Sequence, residues 1–147
     1  MTYNSEINEH YRKSVLTTVE DVGQFINDAD ETSLMLGQPV YKSGTAIEPN
    51  DTWHEIKRRG LYRAEGSIVF KPSEYGEIVV RILLDGKALP ASRLRLSVQP
   101  GQCIAVTPCA PAFDRSMSTA LNPKLELTIA GVPGFVARTM LSTTKLA

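Results

Sequence analysis

Leu61-Tyr62-Arg63-Ala64-Glu65-Gly66-Ser67-Ile68-Val69-Phe70-Lys71 changes character at almost every step. Tyr62, Ala64, Gly66, Ile68 and Phe70 share one parity; Arg63, Glu65, Ser67 and Lys71 share the other. Successive side chains of an extended chain point to opposite faces, so this stretch reads as a strand with one face buried and one wet. Pro72-Ser73-Glu74-Tyr75-Gly76 then supplies turn residues. Glu77-Ile78-Val79-Val80-Arg81-Ile82-Leu83-Leu84 puts Ile78, Val80, Ile82 and Leu84 on one face. Val79 and Leu83 fall on the other, which predicts a strand partly covered on both sides. Asp85-Gly86 follows at once, the residue pair that a type I′ hairpin turn prefers because both positions need positive φ.

The period of two continues outward. Leu94, Leu96 and Val98 alternate with Arg93, Arg95 and Ser97, Pro100-Gly101 turns the chain, and a strand is expected over 103–107. Residues 108–123, framed by Pro108, Pro111 and Pro123, read as a long loop. Leu125, Leu127 and Ile129 alternate with Lys124, Glu126 and Thr128, and Gly131-Val132-Pro133-Gly134 leads into a last strand over 135–145. Short strands punctuated by Gly and Pro define a mainly β chain, a sandwich or barrel.

Upstream, the pattern changes. Ile7, Tyr11, Val15, Val19, Val22 and Ile26 recur at steps of three and four, the spacing of one face of a helix over about 5–28. The β-branched run Thr17-Thr18-Val19 opposes that reading. Leu34-Met35-Leu36 is apolar, then Gly37 and Pro39 interrupt, so 33–52 reads as extended linker. Charge divides at the same place: residues 1–52 hold nine acids and three bases, residues 53–147 seven acids and thirteen bases. The sequence thus predicts an N-terminal anchoring arm and linker, 1–52, partly helical or extended, and a body, 53–147. An arm of this size buries too little apolar surface to be stable alone. Its apolar residues Ile7, Tyr11, Val15, Val19, Val22, Ile26, Leu34 and Leu36 are therefore expected to be ordered by a partner.

At 147 residues the chain is long enough for one domain, or one domain plus an arm. Sixteen acids balance sixteen bases, which argues against nucleic acid as a partner. No apolar run approaches 18 residues, so no membrane span is expected. Met1-Thr2-Tyr3-Asn4-Ser5-Glu6 has neither the basic nor the apolar region of a secretory signal, and none is expected.

Catalytic and metal motifs fail on spacing. His54-Glu55-Ile56-Lys57-Arg58 begins like a zinc-protease helix but carries Arg58 where the second imidazole belongs. Asp51, His54 and Glu55 read as the solvated start of a strand. Asp28, Asp30 and Glu31 lack the glycine and late glutamate of a calcium loop. Asn50-Asp51-Thr52 matches a glycosylation acceptor, which matters only in a secreted chain. A metal-binding jelly-roll enzyme needs a His and Glu cluster, and only His10 and His54 exist. Neither a phosphate-binding glycine loop nor a Gly-x-Ser-x-Gly elbow is present. Cys103 and Cys109 stand about 20 Å apart if the segment is extended, so a disulfide between them requires a sharp bend, as at Pro108. They read as reduced, buried, small apolar side chains. Lys57-Arg58-Arg59 reads as a solvated turn or as a contact for an acidic patch. The expectation is a non-enzyme with no cofactor and no metal.

Trp53-His54-Glu55-Ile56, followed by Gly60-Leu61-Tyr62 through Phe70, resembles the "Gly-x-Tyr … Phe" strand of the tumour-necrosis-factor/complement-C1q jelly-roll superfamily. The Asp-Gly hairpin and the terminal strand after Gly131-Val132-Pro133-Gly134 resemble it too. The likeness covers about 53–147 and is strongest to C1q-like domains of bacteriophage head-fibre and fibre-tip proteins and of some spore-surface proteins. It implies an antiparallel jelly-roll β-sandwich that assembles as a homotrimer, and Trp53, Ile56, Tyr62, Val79 and Leu83 are the candidate interface residues. It further implies a structural virion protein, a head fibre or capsid decoration protein. Its partners would be the major capsid protein or another virion protein, and a glycan; its place is the virion surface, after assembly in the host cytoplasm. The alternatives are a secreted C1q/TNF-like receptor-binding ligand and a spore-surface protein. No Gly-x-y repeat precedes the body, so direct attachment through the arm replaces a collagen-like stalk.

Overall fold

The computed structural model describes residues 13–147. Fourteen strands follow in order: β1 (Val15–Glu20), β2 (Gln24–Ile26), β3 (Thr32–Ser33), β4 (Gln38–Ser43), β5 (Ile47–Pro49), β6 (His54–Ile56), β7 (Leu61–Pro72), β8 (Gly76–Leu84), β9 (Lys87–Ala88), β10 (Leu94–Val98), β11 (Ile104–Val106), β12 (Cys109–Asp114), β13 (Lys124–Ala130) and β14 (Gly134–Lys145). They form two antiparallel sheets. One runs β11-β7-β14-β1-β4, with β12 also on β7 and β2 on β14; the other runs β10-β8-β13-β6-β5, with β3 on β13 and β9 on β8. The mainly β, antiparallel sandwich matches the expectation from the alternating body.

The core lies between the sheets. Strand β7 turns Tyr62, Ala64, Ile68 and Phe70 inward, all fully buried, against Ile78, Val80 and Ile82 of β8 and Leu125, Leu127 and Ile129 of β13. Each large aliphatic side chain buried in this way stabilises the fold by roughly 1.5–3 kcal/mol. Asp85 and Gly86 have φ of 51° and 84°, the positive pair that a type I′ turn requires.

The first third of the chain departs from its expectation. In place of a helix, residues 15–20 form β1, inserted between β14 and β4. Leu16 and Thr18 point inward and are fully buried, while Val15, Thr17 and Val19 face outward. The apolar spacing of three and four ignored Leu16 and Thr18, and the β-branched run decided the outcome. Ile7 and Tyr11 lie outside the described residues. The linker expected over 33–52 contains β4 and β5, and Leu34 and Leu36 are fully buried in the common core. Leu34 N donates to Leu127 O (2.9 Å) and Leu36 N to Asp51 O (2.8 Å). Gly37 makes this passage possible: its φ is 75°, and a Cβ there would lie 2.0 Å from Val19 O. The division at 52/53 therefore matches no break in sheet pairing. The loop expected over 108–123 is shorter than predicted, because β12 pairs with β7 through a bulge.

Candidate assembly face

The strand registers determine what the β11-β7-β14-β1-β4 sheet shows to its surroundings. Partners across an antiparallel ladder point to the same side. Thr17 faces outward and pairs with Tyr41 and Ser142, Ser142 with Glu65, and Glu65 with Cys109. The next row holds Val19, Met140 and Ser67, and the row on the other side Val15, Thr144 and Arg63. Thr17 Oγ1 and Ser142 Oγ lie 2.8 Å apart. Val15, Thr17, Val19, Ser67, Val69, Met140, Ser142 and Thr144 are half-buried, and Tyr41 is 58% exposed. Around Thr17, Val19 and Met140 this face is small, apolar or hydroxylic; Arg138 stands beside Val69, and an Arg63–Glu65 ion pair marks its flank.

The outer face of the opposite sheet is charged and already satisfied. Arg81 pairs with Glu31, Thr128 Oγ1 donates to Glu31 Oε2 at 2.9 Å, Ser33 bonds Glu126, and Arg95 pairs with Glu77 at 3.0 Å. The Arg81 guanidinium holds the Glu31 carboxyl below the usual carboxylate range. Charged residues are depleted from the cores of protein interfaces, so of the two outer faces only the first has the composition of an assembly surface.

The residues expected at an interface lie off this sheet face. Ile56 and Tyr62 are fully buried in their own protomer, which corrects that assignment. Tyr62 stacks on Phe113 with centroids 5.9 Å apart, and its hydroxyl donates to Arg58 O; burial pushes it up to about 12. Val79 and Leu83 lie on the charged outer face, Leu83 with 6% exposure. Trp53 is half-buried, with Lys124 Nζ 4.2 Å from its ring centroid. Of the residues expected to anchor, Ile26, Leu34 and Leu36 belong to the core and cannot grip a partner. Val22 is 88% exposed, whereas Val15 and Val19 sit on the outer face of β1, between β14 and β4. Period-two reading of 15–19 was the signal that would have found them.

His54 is fully buried between the sheets rather than solvated, and burial lowers its imidazole to about 3. Cys103 is exposed and Cys109 half-buried, both free, rather than buried as expected. Among the described residues no three His, Cys, Asp or Glu side chains converge on a point where a metal would sit, and no helix is long and apolar enough to cross a membrane.

No family model matches the chain, and no curated protein does. Solved structures do. Murine APRIL at pH 5.0 superposes with a TM-score of 0.68 at 19% identity, over 92% of this chain and 100% of that one. The PRD1 vertex protein P5 gives 0.56 at 12%, over 91% and 97%. The globular domain of zebrafish complement 1qA protein gives 0.58 at 7%, over 92% and 98%. The chain has the tumour-necrosis-factor/C1q-like jelly-roll fold.

Proposed function

We propose that this chain is a homotrimeric structural protein of a virion, a head fibre or capsid decoration protein that displays its jelly rolls outward. The observation that carries the reading is the contrast between the two outer sheet faces: one closed by ion pairs, the other small, apolar and hydroxylic around Thr17, Val19 and Met140. Three copies packed through the second face remove it from water, as the family resemblance implies. Likeness to the PRD1 vertex protein P5 supports the virion setting. Attachment to the capsid would then use exposed apolar residues away from the centre of that face: Val22, and Phe25, which ladders with Phe135 and Lys71 at one end of the same sheet. On this reading the protein is not an enzyme.

Likeness to murine APRIL over the whole of that chain favours a second reading, a free receptor-binding ligand. Immunogold labelling of particles purified from the source separates the two. The virion reading expects label at regular sites on the particle, reduced by Val22→Asp with Phe25→Asp. Protein found only free in the medium overturns it.

A further inference from the structure

The run Lys57-Arg58-Arg59 plays no part in the assembly face. It forms the connection between β6 and β7, where Gly60 O accepts from Arg115 N at 3.1 Å. Arg115 Nε donates to Ile56 O at 3.3 Å, and a second guanidinium nitrogen donates to Leu121 O. These partners are carbonyls, so they orient the guanidinium and leave its charge uncompensated. Among the described residues no carboxylate lies within ion-pair distance of Lys57, Arg58, Arg59 or Arg115. Between the two loops lies an open groove of about 440 Å³ lined by Arg59, Arg115, Ser116, Ser118, Thr119 and Asp114.

Three acids of the first third of the chain are engaged within the fold. Glu20 accepts from Val22 N and Gly23 N, Glu31 pairs with Arg81, and Glu48 with Lys42. Asp114, the acid in the groove, accepts from Ser116 N at 2.8 Å and holds the loop. No aromatic side chain lines the groove. It therefore lacks the stacking platform of a single-stranded nucleic-acid site and the aromatic core of a protein interface. Guanidinium donors with small hydroxyls suit a tetrahedral oxyanion.

We propose that this groove binds a sulfate or phosphate ester carried on a sugar, with Arg59 and Arg115 on the ester oxygens and Thr119 as the hydroxyl donor. The proposal stands independently of the virion reading. Its test is calorimetric titration of the full chain with inorganic sulfate, inorganic phosphate, a sulfated disaccharide and a phosphorylated disaccharide, in low salt. Arg59 makes no hydrogen bond among the described residues, so Arg59→Gln should leave the fold intact, as checked by its melting curve. We expect binding of at least one ester, tighter than the free anion, and weakened about tenfold by Arg59→Gln, the share of one charge-assisted hydrogen bond. Whichever ester binds more tightly identifies the source of the oxyanion. Absence of binding at tens of millimolar, affinity unchanged in Arg59→Gln, or tighter binding of a short oligothymidylate than of either sugar overturns the proposal.

Discussion

His54 Nε2 lies 2.8 Å from Thr18 Oγ1, and this bond joins the two sheets through the middle of the core. Nδ1 sits 2.8 Å from Thr143 Oγ1, so both ring nitrogens are satisfied by hydroxyls. Neutral imidazole suits this arrangement, and burial away from water disfavours the charged form.

A pH dependence follows. Folded His54 titrates near 3, below the ordinary value of 6.5. Between those values the unfolded chain binds the extra proton, so stability rises with pH. His54 contributes fully above about 6.5, and each unit of acidification below it removes up to about 1.4 kcal/mol. Urea midpoints at pH 7.5, 6 and 5 should fall in that order. His54→Gln should flatten the slope while lowering stability at pH 7.5.

Leu36 should behave as a core residue and not as part of a detachable arm. Leu36→Ala should cost about 2–5 kcal/mol in chemical denaturation. Deletion of residues 1–40 removes β1 from between β14 and β4, and should yield an unfolded chain by circular dichroism. A truncated protein that retains the native spectrum would restore the arm-and-body division.

Gly37→Ala should be costly despite its small size. Positive φ costs an alanine about 1–2 kcal/mol, and the Cβ collides with the Val19 carbonyl. A loss above about 2 kcal/mol is expected from thermal melts. By contrast Arg81→Ala, which removes a pair whose side chains are each about a third exposed, should cost no more than about 1 kcal/mol.

The body was legible because its long strands β7 and β8 bury one face, so Tyr62 to Phe70 and Ile78 to Leu84 carry a period of two. The first third was not, for a physical reason. Outward Val15 and Val19 are apolar, so β1 lacks a polar side that alternation reveals. Thr18 and His54 are polar yet buried, because each satisfies the other. Short β5 and β6 carry three residues each, too few to show any period. The groove between residues 59 and 115–119 joins loops over fifty residues apart, and only Lys57-Arg58-Arg59 marked it in the sequence.

Light scattering on the full chain after size-exclusion chromatography, at micromolar concentration, tests assembly through the β1-β14-β7 face most directly. The account predicts a mass of about 48 kDa, three times the 16.1 kDa protomer. Val19→Arg, in the middle of that face, should reduce it to a folded monomer, whereas Val79→Arg on the ion-paired face should leave the trimer intact. A native chain that runs as a monomer, or a trimer that survives Val19→Arg and fails with Val79→Arg, contradicts the account.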